Sequence, residues 1–116
     1  MYCKNSDEYL KNDIPKTQKA QIAVLSPKEE TDFLVRKIKI EEGGSMPNHT
    51  NLIQHQQYVL SGEAKVVVGD ETINAKAGDF IYIPAGVKHY YEAYYGKEYQ
   101  FLCMITTTPD TITMVE

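Results

Sequence analysis

The sequence has no tryptophan, a single arginine (Arg36) and no long apolar run. A membrane-spanning helix needs roughly 18 or more consecutive apolar residues, and no run in this chain approaches that length. Acidic residues outnumber basic ones by 16 to 12, so the net charge is -4 and the isoelectric point is about 5.4. A nucleic-acid-binding domain usually has an isoelectric point above about 9. We therefore expect no membrane segment and no nucleic-acid partner.

Cysteine is also scarce, since Cys3 and Cys103 are the only two in the chain. Their wide separation fits no Cys-x-x-Cys metal or redox motif. The residues at the start of the sequence include no apolar segment of the kind that directs secretion. The sequence therefore predicts a cytoplasmic protein in which both thiols stay reduced, with Cys103 buried in a strand.

The length of 116 residues predicts one domain, since domains usually hold about 100–200 residues. We expect residues 1–19 to form an N-terminal arm, with one or two helical turns over residues 5–13 capped by Asn5 or Ser6. The core of such a chain is small, and the sequence has more apolar and tyrosine residues than one small core holds. We therefore expect a homodimer that uses apolar residues of the outer sheet surface and the strand at residues 20–25.

Short segments in which apolar and polar residues alternate make up most of the chain. In residues 33–41, for example, Ile38 and Ile40 share one parity and lysines share the other. We expect Gly43-Gly44 to break this strand. Further strands are predicted at residues 20–25, 57–60, 64–68, 72–75, 80–83, 89–95 and 99–107, with a weaker one at 111–115. No segment between them is long enough for a crossover helix, so the pattern predicts an all-β antiparallel sandwich or barrel.

The three histidines, His49, His55 and His89, are the strongest chemical signal in the chain. A single histidine in a β protein usually lies at the surface or is hydrogen-bonded in the core, whereas three that meet in a barrel can hold a metal ion. Spacing alone does not prove that they meet. They stand in two patterns, Gly43-(x5)-His49-Thr50-Asn51-(x3)-His55-(x6)-Gly62 and Gly78-(x5)-Pro84-Ala85-Gly86-(x2)-His89-(x3)-Ala93.

These two patterns resemble the two sequence motifs of the cupin superfamily, and every glycine and proline of both motifs is in register. The resemblance covers residues 33–106 and is strongest to small single-domain cupins that bind a metal. It implies that residues 1–116 form a single-domain cupin jelly-roll β-barrel, an antiparallel double-stranded β-helix. The family motifs have a second histidine, a glutamate and a closing asparagine where this chain has Asn51, His55 and Ala93.

The resemblance implies that His49, His55 and His89 bind one divalent transition metal per chain. Asn51 stands where four-histidine cupins have their remaining imidazole, so it is either a weak ligand or a gap in the coordination sphere. Imidazole suits Fe, Mn, Zn, Ni and Cu, which leaves the identity of the metal open. Without a glutamate ligand the ion keeps its full charge, which makes it a stronger Lewis acid toward an anionic, chelating molecule.

A three-histidine site is similar to those of cupin dioxygenases, so we expect an oxidoreductase of dioxygenase type that acts on a small oxygen-rich molecule. Two alternatives stay open: a metal-dependent isomerase, epimerase or decarboxylase, and a non-catalytic cupin that binds a small ligand. The fold does not choose among them, because one barrel supports many reactions.

Strand parity adds two further candidates for the site. Tyr91 shares the parity of His89, so we expect it to face the cavity and to donate a hydrogen bond to a bound substrate. Gln57 shares the parity of His55 and is a candidate for orienting an imidazole. These two residues are the sequence's candidates for a catalytic role.

Overall fold

The computed structural model describes residues 1–107 and 112–115, and the strands in this part of the chain pair antiparallel in a single sheet. The strands are β1 (Asn12–Asp13), β2 (Gln18–Val24), β3 (Phe33–Asn51), β4 (His55–Ser61), β5 (Glu63–Val68), β6 (Glu71–Lys76), β7 (Phe80–Ile83), β8 (His89–Ala93), β9 (Tyr99–Thr106) and β10 (Ile112–Met114). The central order is β6-β5-β8-β3-β9-β4-β7. Strand β2 pairs with β1 and β3, and β10 pairs with the end of β3. The predicted all-β antiparallel fold is confirmed.

The N-terminal arm has less helix than the sequence predicts. Only Ser6–Glu8 form a turn of 3-10 helix, and the Asn5 side chain caps it by accepting a hydrogen bond from the Asp7 amide. The turn stops early because β1 pairs with β2 instead, which supplies the backbone hydrogen bonds that a longer helix would have formed. The expected cap is therefore correct, whereas the expected helical span is too long.

The longest strand, β3, runs through the glycine pair that was expected to end it. Gly43 adopts a positive φ of 72°, and a Cβ on Gly44 would lie 2.6 Å from the backbone oxygen of Gln18. Residues 33–40 of β3 pair with β9, and Ser45, Met46 and His49 pair with β8. The glycines therefore let the strand change partner, and the prediction of a strand break is wrong.

Inward and outward side chains alternate along the strands, as the pleat requires. In β4, for example, His55, Gln57 and Val59 are buried while Gln56 and Tyr58 are exposed. The buried side chains of the successive strands face one another and form a continuous core. This curled sheet therefore has an interior that its inward residues fill, as in a barrel.

No disulfide joins the cysteines: Cys3 is exposed and Cys103 is fully buried. The weak strand expected at 111–115 is present as β10, although residue 111 lies outside the described residues. Among the residues that are described, no helix has the length and apolar character that a membrane crossing requires.

Candidate functional site

Three strand ends bring the histidines to one end of the interior. His49 lies near the end of β3, His55 begins β4 and His89 begins β8. Pairing of β3 with β8 makes His49 and His89 direct cross-strand neighbours, next to an irregularity in register after Met46. Burial is nearly complete for all three side chains, at 5% exposed for His49, 6% for His55 and 1% for His89.

The imidazole rings lie close together, but their present positions do not form a metal-binding arrangement. The ring centroids of His49 and His89 are 4.1 Å apart, and those of His55 and His89 are 6.2 Å apart. Two rings that share one ion through bonds of about 2.0–2.1 Å have centroids roughly 4.5–5.5 Å apart. No three His, Cys, Asp or Glu side chains among the described residues are arranged to hold a metal ion. Binding of one ion by all three histidines therefore requires rotation of the rings.

Hydrogen bonds at Nδ1 orient the imidazoles. The Nδ1 atom of His49 lies 2.8 Å from the backbone oxygen of Pro47, and that of His89 lies 3.0 Å from the backbone oxygen of Val87. A carbonyl only accepts hydrogen bonds, so a neutral ring here donates from Nδ1 and carries its lone pair on Nε2. Metal-binding histidines are commonly oriented in this way.

The third imidazole has a different neighbour. The Nδ1 atom of His55 lies 3.5 Å from the sulfur of Cys103, which belongs to β9. The buried amide of Asn51, 5% exposed, faces the same cavity two residues after His49. The buried imidazole donors, with the lone pair on Nε2 where His49 and His89 make backbone contacts through Nδ1, fit a divalent transition metal. The ligand roles of the three histidines and of Asn51 stay predictions.

Gln57 and Tyr91 are in contact inside the cavity. The amide nitrogen of Gln57 donates a hydrogen bond of 2.6 Å to the hydroxyl oxygen of Tyr91. Both side chains are 1% exposed, and the Tyr91 ring stacks on Phe101 with a centroid separation of 5.3 Å. Burial raises the pKa of Tyr91 well above its usual value, so the phenol stays neutral and able to donate a proton in a hydrogen bond.

The cavity that holds these groups has a volume of about 210 Å³ and mostly apolar walls. Apolar side chains from the arm, the sheet and β10 line it: Ile14, Pro15, Ile22, Ile38, Met46, Phe101 and Ile112. A second hollow of about 220 Å³ adjoins it and shares Met46, His49 and Ile112. The site therefore lies inside the curled sheet and is bordered by the N-terminal arm and β10.

Sequence reasoning missed two members of this cavity, Arg36 and Cys103. The guanidinium Nη2 of Arg36 lies 3.0 Å from the sulfur of Cys103, and both side chains line the cavity. Arg36 shares the parity of Ile38 and Ile40, so the same alternation could have revealed an inward-facing charge. Cys103 was expected to be buried in a strand, but nothing in its spacing indicated that it would adjoin His55.

A curled antiparallel sheet with a polar cavity at one end is the architecture of a small β-barrel protein with an internal site. The sequence profile of the family described as "Cupin domain" matches residues 36–105, which is more than half of the chain. The chain therefore belongs to the cupin domain family, as the two motifs predicted. No curated protein matches it significantly.

Solved structures support the same architecture. The polyketide cyclase RemF from Streptomyces resistomycificus has a TM-score of 0.89 and 22% identity, with 100% of this chain and 86% of that chain covered. Rru_A2000 from Rhodospirillum rubrum, a cupin-2 domain, has a TM-score of 0.82 and 19% identity, with coverage of 93% and 73%. Oxalate decarboxylase from Lactobacillus farciminis has a TM-score of 0.78 and 19% identity, with coverage of 94% and 34%. Identities this low establish the jelly-roll fold alone.

Proposed function

We propose that this chain is a metal-dependent enzyme that binds one divalent transition metal with His49, His55 and His89. One observation carries the proposal: all five buried polar residues of the described chain, His49, Asn51, His55, Gln57 and His89, line a single cavity. Burying polar groups costs free energy that an apolar interior avoids. Their collection at one place, with ring nitrogens oriented by Nδ1 contacts, supports a ligand-binding site over a structural role.

The leading reaction class is an oxidoreductase of dioxygenase type acting on a small oxygen-rich molecule. A metal held by neutral imidazoles alone would keep its full charge and supply Lewis acidity or redox chemistry. The chain's own groups would do the rest. Neutral Tyr91, held by Gln57, would donate a hydrogen bond to a substrate oxygen, and apolar walls such as Ile38 and Phe101 would limit the access of water.

A non-oxidative reaction is the second candidate, and the donor set favours it in one respect. No carboxylate lies among the proposed ligands, so the charge available to polarise a substrate carbonyl is not reduced. Cyclisation, isomerisation and decarboxylation all use such polarisation, and a polyketide cyclase and an oxalate decarboxylase are among the proteins that share the fold. A cupin that only binds a small ligand would have the same cavity without turnover.

Metal content tests the first step of the proposal. Untagged protein should carry close to one Fe, Mn, Zn, Ni or Cu per chain by elemental analysis, directly or after loading. His55→Ala should lose most of this metal, because one of three donors is removed. Gln56→Ala is the matched control, since Gln56 is the next residue of β4 and faces outward. Full metal content in the His55 variant, or none in the wild type after loading, would refute the proposal.

Nitric oxide then separates the two reaction classes without a known substrate. Ferrous protein with an open coordination position for oxygen should bind nitric oxide and give the electron paramagnetic resonance signal of a high-spin iron nitrosyl. The dioxygenase assignment requires this signal, together with oxygen uptake in a screen of small hydroxylated acids and ketones. Ferrous protein that lacks both the signal and oxygen uptake would favour the non-oxidative class or a binding module.

We also propose a homodimer in the cytoplasm, where the Cys103 thiol beside His55 stays reduced. The outward face of β4 and β7 carries exposed apolar side chains, with Tyr58 opposite Phe80 and with Leu60 and Tyr82 nearby. A second copy of this face would cover them. Light scattering should give twice the chain mass, and the double variant Tyr58→Ser/Phe80→Ser should be monomeric. A monomeric wild type at micromolar concentration would exclude the dimer.

A further inference from the structure

A single positive charge faces the interior of the sheet at Arg36. This residue is the only arginine in the chain and follows the inward parity of Ile38 and Ile40 along β3. Its side chain is half-buried and lines the cavity that holds the three histidines. An inward-facing charge on an otherwise apolar strand face is costly unless a partner of opposite charge compensates it.

The protein supplies only part of that compensation. The guanidinium Nη2 meets the sulfur of Cys103 at 3.0 Å, and a thiol is a weak hydrogen-bond acceptor. The buried Nε of Arg36 has no hydrogen-bond partner among the described residues. Within the same residues no carboxylate forms a salt bridge with Arg36. Asp13, the one carboxylate that lines the cavity, is exposed on β1 and lies 3.4 Å from the Gln21 side-chain nitrogen.

A second buried polar atom at the cavity lacks a partner among the residues described, and this atom needs a hydrogen-bond donor where Arg36 needs an acceptor. The side-chain oxygen of Gln57 is buried without a hydrogen-bond partner in the part of the chain that the structure describes, although its amide nitrogen donates to Tyr91. Gln57 is 1% exposed and lines the same cavity as Arg36. A buried donor at Arg36 and a buried acceptor at Gln57 therefore call for a ligand that has an anionic oxygen and a hydroxyl group.

We propose that the cavity binds a small hydroxylated carboxylic acid whose carboxylate pairs with Arg36. The planar guanidinium matches the two oxygens of a carboxylate, and the hydroxyl of the ligand donates to the side-chain oxygen of Gln57. A volume of about 210 Å³ equals on the order of seven water molecules at about 30 Å³ each, which suits a small organic acid. Apolar side chains such as Ile38 and Met46 accept an apolar body on the acid.

This assignment rests on the proposed function for the identity of the cavity as the substrate site, and it can be tested apart from the metal. Mandelate combines a carboxylate, a hydroxyl and a phenyl ring. Calorimetric titration measures its affinity for the EDTA-treated protein and for the metal-loaded protein. Mandelamide lacks the charge and phenylacetate lacks the hydroxyl. Wild-type protein should bind mandelate at least tenfold more tightly than either analogue, in the EDTA-treated form as well.

Arg36→Gln should weaken mandelate binding at least tenfold and leave mandelamide binding unchanged, because only the charge pairing is lost. Arg36→Lys keeps the charge without the planar fork, so it should retain part of the affinity. Lys37→Gln is the matched control, since this neighbour faces the other way and contacts Ser6 and Asp7. Circular dichroism and thermal unfolding of each variant establish that it is folded, and the lysine variant keeps the test decisive if the glutamine variant does not fold.

Equal mandelate affinity in folded Arg36→Gln and wild type, or no preference for mandelate over mandelamide, would overturn the assignment. Failure of the proposed function has a different signature. Protein that takes up no metal but still binds mandelate through Arg36 would refute the metal-dependent enzyme and leave the carboxylate site standing. Protein that holds metal through the histidines but binds mandelate independently of Arg36 would refute the carboxylate site and leave the metal-binding proposal standing.

Discussion

The interior of this barrel is divided into two regions that use the same strands for different purposes. The apolar region includes six side chains that are fully buried, at 0% exposed: Ile40, Val59, Ala64, Val66, Tyr99 and Phe101. The polar region consists of the buried polar side chains: His49, Asn51, His55, Gln57 and His89. Strand β4 contributes to both, with His55 and Gln57 in the polar region and Val59 in the apolar region.

The difference between the regions shows how one fold supports both stability and a site. Apolar burial contributes about 25 cal/mol per Å² removed from water, whereas a buried polar group contributes little and costs free energy when it is unpaired. The apolar region therefore provides most of the stability, and the polar region depends on it. Substitutions in the two regions should accordingly affect different measurements.

Removing a side chain from the apolar region should have the largest effect on stability. We expect Ile40→Ala to lower the free energy of unfolding by about 3 kcal/mol, because the change leaves a cavity at a fully buried position. Urea unfolding measures this loss. Lys39→Ala is the control, since its ion pair with Glu98 is at the surface and should contribute less than about 1 kcal/mol. A loss below 1 kcal/mol for Ile40→Ala would contradict the assignment of this region.

Metal binding should stabilise the polar region independently of the apolar one. At a free metal concentration of about 100 times the dissociation constant, the gain in unfolding free energy should be about 2.7 kcal/mol. The same gain is expected in Ile40→Ala, because independent sites have additive effects. Urea unfolding with added Zn²⁺ and with EDTA provides the comparison. If the variant gains markedly less than the wild type, the two regions are coupled and the division between them is too simple.

A fourth imidazole in the polar region should strengthen metal binding by a smaller amount. Asn51→His places a ring on the face of His49, and we expect the metal to bind about tenfold more tightly, or about 1.4 kcal/mol. Thr50→His adds the same ring to the next position of β3, which points to the opposite side of the sheet, and should not change affinity. Competition titration with a chelator measures both variants. Equal affinity in Asn51→His and the wild type would mean that Asn51 does not reach the ion.

Alkaline pH should reveal a weak point of the apolar region. Burial, and to a lesser extent the charge of Asp79, raises the pKa of Tyr99, whose hydroxyl has no hydrogen-bond partner among the described residues. The unfolded chain then loses this proton near pH 10 while the folded chain keeps it. The contribution of Tyr99 to the free energy of unfolding is therefore fully present below about pH 10. It falls above that pH by up to about 1.4 kcal/mol per pH unit.

Tyr99→Phe should remove this part of the pH dependence and change stability at pH 7 by at most about 1 kcal/mol, the smallest of the four effects. Urea unfolding between pH 8 and pH 11 gives the slope for each protein. Tyr95→Phe is the control, because Tyr95 is 86% exposed and should leave the slope unchanged. Identical slopes for wild type and Tyr99→Phe would show that Tyr99 titrates equally in the folded and unfolded states.

Sequence reasoning located most strands, since parity and glycine or proline turns are local signals. It failed at Gly43-Gly44, where a local rule predicted a strand end and the strand instead changes partner from β9 to β8. The length of a strand depends on which neighbours are available for pairing, and in β3 these neighbours come from segments far along the chain. Likewise, the N-terminal arm has less helix than expected, because Asn12 and Asp13 pair with β2 instead.

By itself, the sequence determined the alternation of inward and outward side chains and the positions of the three histidines on inward faces of strands, which the two cupin motifs made recognisable. Only the tertiary structure decided which distant side chains would adjoin them. Arg36 and Cys103 lie 67 residues apart, and His55 and Cys103 lie 48 apart, yet all three meet in one cavity. Such neighbours follow from the register of β3 and β4 against β9, which depends on the packing of the whole sheet.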